Sequence, residues 1–186
     1  DNLGNRGLWG KSVMYEEAAA VPMIVSGPDI PAGRVVHTPT SILDLYPFIM
    51  DCVGELDGET VTGDHPGINV MDLMDGEDAD RVVFSEYHAM GSKAAAYMIR
   101  KGPHKLIHHV DYPPQLFNLA DDPEELHDLA GDPAFRAVID DLEAELLRIC
   151  DLLAIDQRAK RDQAERMAAA GGREAVIARG DLGFSV

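Results

Sequence analysis

A chain of 186 residues with a formal net charge of -17 and a sequence pI near 4.6 repels phosphate backbones and acidic lipid headgroups, which argues against nucleic-acid or membrane-surface partners. Its length suffices to bury a sizeable core and fits one domain, or one domain with an appendage. No apolar run reaches the length of a transmembrane helix.

The chain opens on a loop that carries Gly4, Gly7, Gly10, the lone Trp9 and a single Lys, Lys11, before a helix-like run. Glycine permits close backbone approach and an ammonium supplies a point charge, so this pattern is that of an anion-contact loop. Val21–Val25 then reads as a buried strand, with a brief second strand at Val35–Val36. A helix is expected from Thr40 or Ser41, its N-cap candidates, with Ile42, Leu45, Ile49, Cys52 and Val53 on one face and Pro47 near its first turn. Residues 54–67 are acidic and rich in glycine, and Asp64 and His65 within them are surface residues on this reading. A short helix follows at Ile68–Met74.

From Arg81 the hydrophobic period changes. Strands are expected at Arg81–Tyr87, Ala94–Arg100, Lys105–Val110 and Gln115–Leu119. Their hairpin-sized connectors, Met90–Ser92 and Lys101–Pro103, predict an antiparallel meander. Asp132 and Pro133 mark the start of one broad helix, whose stripe from Phe135 to Leu153 needs a sheet to cover. Beyond it lies a polar helical stretch, 156–170, stopped by Gly171 and Gly172, and then a tail with Leu182 and Phe184. Charge is unevenly placed. Residues 35–80 contain no Lys or Arg, whereas Arg158, Lys160, Arg161, Arg166, Arg173 and Arg179 concentrate in the tail, an arrangement suited to docking of tail on body within or between subunits.

Candidate polar groups are Arg6 and Lys11 in the loop, His37 and Thr38, and Glu86, Tyr87 and His88 at a strand end. His108 and His109 are adjacent on a strand, so their rings point to opposite faces and do not chelate one metal together. Cys52 and Cys150 lack metal or redox spacing and read as buried, inert thiols of a reducing compartment. No nucleophile elbow, Walker loop or zinc-protease motif occurs.

Three segments in order resemble the sulfatase family of the alkaline phosphatase superfamily: Asp1–Val25, with its Gly7-Leu8-Trp9-Gly10-Lys11 step and Val21-Pro22-Met23-Ile24-Val25 run; Ser41–Gly54; and Pro113–Ala130, with Leu116-Phe117-Asn118-Leu119 and Asp122-Pro123-Glu124-Glu125. The likeness is greatest to bacterial arylsulfatase and phosphonate monoester hydrolase members. It implies the C-terminal part of an alkaline phosphatase-like α/β fold over residues 1–80, an antiparallel four-stranded sheet with a helix over 81–154, and a polar helical tail over 155–186. It further implies hydrolysis of a small-molecule sulfate monoester by a formylglycine nucleophile and a divalent metal, calcium first, with manganese or magnesium as alternatives. Nucleophile and metal ligands are expected upstream of Asp1, and the chain is therefore expected to be an incomplete piece of the enzyme.

By position Lys11 matches the family lysine that contacts the sulfate. Asp1 matches the acidic residue that follows the metal ligands, and His88 resembles a position near the substrate pocket. Asn5 stands where many members carry Glu, which bears on the fine geometry of the loop. Phosphonate monoester or phosphodiester hydrolysis on the same scaffold is the alternative activity, and a non-catalytic assembly module the alternative of another class. A homo-oligomer joined through residues 157–186 and a cytoplasmic location, with the periplasm as alternative, complete the expectations.

Overall fold

The structure, a computed structural model, describes residues 1–54, 65–89 and 92–180. At its start β1 (Asn2–Leu3) and β2 (Trp9–Gly10) form an antiparallel ribbon, with Asn2 opposite Gly10 and Leu3 opposite Trp9. The turn between them passes through Gly4 at φ 99, a backbone geometry that side chains disfavour. The short helix α1 (Glu16–Ala19) follows.

Ser41 caps a 3-10 turn, Ile42–Asp44, that runs directly into α2 (Leu45–Cys52). The cap is reciprocal: the Ser41 hydroxyl accepts from Leu43 N–H, and the Asp44 carboxylate accepts from Ser41 N–H at 2.6 Å, as in a capping box. Pro47 sits in the first turn of α2, where a missing N–H costs least. The next helix, α3 (Val70–Asp75), is capped by Asn69, whose side chain accepts from Met71 N–H at 3.0 Å. It begins two residues later than the sequence pattern indicates.

The meander is present as expected. Strands β3 (Val83–Tyr87), β4 (Ala96–Lys101), β5 (His104–His109) and β6 (Gln115–Asn118) pair antiparallel in sequential order. Gly102, at φ 58, turns the chain between β4 and β5, where Lys101 faces His104. One side of the sheet, with Tyr97, Ile99 and Leu106, is covered by Ile139, Leu142 and Leu146 of α4 (Arg136–Ile149). The other side, with Met98, Ile107 and Phe117, is covered by Met14 and the segment leading into α1. Burial of such side chains contributes about 1.5–3 kcal/mol each.

Four sequence expectations are corrected. Residues 21–25 and 35–36 are not strands: none of the described residues offers them a ladder partner, and Ile24 is 91% exposed. The apolar face of α2 is uncovered, with Ile49 and Val53 exposed. Cys52 is likewise exposed and Cys150 only half-buried, so neither is the deeply buried thiol expected. The long helix is two helices. Cys150 is extended at φ -156 and ψ 158, and Asp151 then caps α5 (Leu152–Ala169) by accepting from Ala154 N–H at 3.0 Å. The break turns Leu152 into the core, where its carbonyl accepts from the Tyr97 hydroxyl at 2.8 Å.

The chain then reverses through Gly171, at φ 92, into α6 (Gly172–Arg179). Among the described residues no helix is long and apolar enough to cross a membrane. Asp64, the Met90–Gly91 connector, Leu182 and Phe184 lie outside the described residues.

Candidate active site

The β1–β2 ribbon brings the two ends of the opening loop together, and with them two of the expected site residues. Lys11 Nζ lies 3.3 Å from Asp1 Oδ1. The Lys11 side chain is 72% exposed, so its ammonium faces outward and is available to a further anion. Beneath it Asn2 is buried and donates through Nδ2 to the Gly10 carbonyl at 2.9 Å, which locks the ribbon one residue before Lys11. Asn5 Nδ2 donates to Glu17 Oε1 at 3.4 Å and ties the ribbon turn to α1.

The loop rests on a buried ion cluster that the residue pattern did not single out. Lys105, on β5, has no exposed side-chain surface; its Nζ lies 2.7 Å from Glu16 Oε1 and 2.8 Å from Glu125 Oε1. The contact to Glu16 is a hydrogen bond, and that to Glu125 is an ion pair off the hydrogen-bond direction. The other Glu125 oxygen accepts from Glu16 N–H at 2.7 Å. It thereby satisfies a first-turn donor of α1, which has no side-chain cap of its own. Arg6 donates to the carbonyls of Glu124 and Glu125, the latter at 3.0 Å, and its guanidinium lies 4.2 Å from the centre of the Tyr15 ring. Arg6 and Glu125 also hold left-handed backbone, φ 54 and φ 51, which non-glycine residues keep only when their surroundings enforce it.

One signal for this cluster was in the sequence. Lys105 alternates in phase with Ile107 on β5, and a Lys in phase with an apolar face needs buried carboxylates.

His88 lies elsewhere, on the α4 side of the sheet. Its ring packs edge-on to Tyr97 at 5.3 Å between centres, its Nε2 is 3.1 Å from Glu86 Oε2, and its carbonyl accepts from Gln163 of α5. It lines an open cleft with Lys93, Gln163, Arg166 and Arg173. Helix α5 thus lies against this chain's own sheet, anchored by Asp156, which accepts from Ala95 N–H at 2.9 Å. Burial pushes the Asp156 carboxyl up, but Lys160 at 2.6 Å and the Ala95 N–H outweigh it and hold the group below its ordinary value. Burial pushes the Cys150 thiol up, helped by the charges of Glu86 and Asp151.

The remaining candidates have structural employment or no shared site. Thr38 is buried, donates to the Leu73 carbonyl and accepts from Asp78 N–H. His65 accepts from Gly67 N–H at 3.1 Å and stacks on Tyr46. His37 lines a pocket with Glu16, Ser85 and Arg100. His108 faces Glu143 of α4 at 3.8 Å, whereas His109 shares the opposite face with Ile107. Among the described residues no group of three His, Cys, Asp or Glu side chains is placed to hold a metal ion. The donor set here therefore does not fit a resident metal, and Asp1 is engaged by Lys11.

An antiparallel four-stranded meander with a covering helix, preceded by a glycine loop, is the architecture of this chain, and its relatives identify it as the C-terminal part of a sulfatase of alkaline phosphatase-like fold. The chain belongs to the family of the N-sulphoglucosamine sulphohydrolase C-terminal region, whose model matches residues 4–151. It is 37% identical over 119 residues to choline-sulfatase of Rhizobium meliloti (strain 1021), an overlap of 64% of this chain and 23% of that protein. It is 32% identical over 156 residues to arylsulfatase K of Danio rerio, covering 81% of this chain and 29% of the relative. In structure it is similar to BT4656, solved in complex with its substrate D-glucosamine-2-N,6-O-disulfate, with a TM-score of 0.63, 23% identity, and coverage of 87% of this chain and 33% of that one. That likeness bears on the fold. The chain thus spans roughly a quarter of the length of the curated relatives it matches.

Proposed function

We propose that this chain is the C-terminal portion of a sulfatase that hydrolyses sulfate monoesters of small molecules, with Lys11 contacting the sulfate. The observation that carries this reading is the outward Lys11 ammonium, held 3.3 Å from Asp1 at the end of a locked ribbon. Hydrolysis breaks the bond between sulfur and the ester oxygen, gives sulfate and an alcohol, and leaves negative charge growing on the departing oxygen. A cation fixed beside that oxygen stabilises the transition state more than the ground state.

The described residues supply no metal donor set, and neither Cys52 nor Cys150 lies in the Cys/Ser-x-Pro-x-Arg pattern of the family nucleophile. On this proposal the formylglycine and the divalent cation, calcium first with manganese or magnesium as alternatives, are held by the polypeptide that precedes Asp1. Residues 1–80 then close the catalytic α/β part, and the sheet and helices that follow brace it. Asp1 keeps the Lys11 ammonium aimed until substrate arrives.

Steady-state hydrolysis of an aryl sulfate by the full-length enzyme tests the role of Lys11. Lys11→Ala is expected to lower kcat by about 10²–10³-fold, the usual cost of removing one preorganised charge-stabilising group. A loss of only a few-fold would remove the assignment.

A further inference from the structure

We propose that Lys105, Glu125 and Arg6 are positioning residues for Lys11, transmitting the rigidity of the four-stranded sheet to a cation that has almost no anchorage of its own. The inference rests on the reading of Lys11 given above. Among the described residues the Lys11 ammonium has the Asp1 carboxylate as its ion-pair partner, and it is otherwise open to solvent. Its place is therefore inherited from the ribbon, and the ribbon's place from what lies below.

That support can be followed atom by atom. Lys105 is fixed between the second and third strand pairings of the meander, opposite Arg100 on β4 and Phe117 on β6. From there its ammonium reaches Glu16 and Glu125, and Glu125 grips Glu16 N–H. The next residue, Glu17, accepts from Asn5 Nδ2 at 3.4 Å and lies 3.8 Å from Arg6 Nε, both in the turn of the ribbon that ends on Lys11. Arg6 adds a second tether from the loop tip to the Glu124 and Glu125 carbonyls.

A buried ion cluster is a costly way to gain stability, because desolvation offsets much of the attraction. It does fix geometry, since each partner satisfies the others only in one arrangement. The two left-handed residues, Arg6 and Glu125, touch one another at this junction, which places the stored backbone strain where loop and sheet are joined.

The test uses the full-length enzyme and a series of aryl sulfates whose phenols differ in acidity, well below the melting temperature of each variant. Lys11→Ala should steepen the dependence of kcat on leaving-group acidity, because the departing oxygen loses its cation. Glu125→Gln and Arg6→Ala should reproduce that steepening, with kcat reduced by as much as about 100-fold for the poorest leaving groups and KM little changed, as expected for a misplacement near 1 Å. Each should add little further loss in the Lys11→Ala background, since groups that act through one another are not additive. Lys101→Met, which removes an ion pair with Asp141 and Glu145 on the α4 side, should leave the slope at the wild-type value.

Arg6→Ala removes the ion pair with Glu17 but leaves the contacts of Lys105 with Glu16 and Glu125 in place, and it carries the test if Glu125→Gln does not fold. A steep slope in Lys11→Ala with a wild-type slope in both Glu125→Gln and Arg6→Ala overturns the inference alone. A wild-type slope in Lys11→Ala itself removes the role of Lys11 and this inference with it.

Discussion

Asp44 shows how one buried carboxylate joins three segments. It receives two hydrogen bonds from Arg81, at 2.7 and 2.9 Å, one from Ser41 N–H at 2.6 Å and one from Ile68 N–H at 2.9 Å. Its capping role was legible, because a Ser three residues before an Asp at a helix start is a local signal. Its pairing with Arg81 was not, since nothing local links residues 37 positions apart. Lys105, Glu16 and Glu125 repeat the lesson at the candidate site. Lys11 and Asp1 could be named from the opening motif, whereas the residues that hold them are brought in by the sheet. A residue-scale consequence concerns His109. Burial, with the neighbouring His108 charge, holds its pKa below the ordinary 6.5. The neutral ring is the folded form, so its contribution is complete above the unfolded value near 6.5 and is lost as pH falls through the lower folded value. Thermal unfolding of the chain between about pH 7.5 and about pH 5.5 should show a falling midpoint, and His109→Gln should flatten that slope. An unchanged slope in the variant would assign the acid sensitivity to other groups.

Elements with a local signature were read correctly, and those that depend on distant partners were not. The meander declares itself through short apolar strands separated by hairpin-sized connectors, one of them turning through Gly102. The run at 21–25 has equally suitable composition, yet a strand exists only through its ladder, and among the described residues none is supplied. The apolar stripe of α4 continues in phase to Leu153, which conceals the break at Cys150. Asp151 was the overlooked signal: it caps α5 and lets Leu152 enter the core under the Tyr97 hydroxyl. Asp151→Ala is expected to destabilise the chain by about 1 kcal/mol, the usual worth of an N-cap. Urea denaturation followed by circular dichroism measures it. A change within about 0.3 kcal/mol would mean that packing of Leu152 alone sets the break.

At the scale of the molecule, two surfaces differ in character. The sheet with α4 is closely packed, whereas residues 21–36 and α3 line an apolar groove that includes Met23, Ile24, Val35 and Met71. The strong acidity of the chain bore only on which classes of partner to expect. The family was legible in its motifs, and two of the segments that carry them, the glycine loop and the acidic turn with Glu125, touch through Arg6. The central claim is that this loop serves a sulfate ester, and the most direct measurement is side-by-side turnover of an aryl sulfate monoester and an aryl phosphate diester by the full-length enzyme. The account predicts that kcat/KM favours the sulfate monoester and that Lys11→Ala abolishes most of that preference. Turnover confined to the phosphate diester, or none with either ester, would contradict it.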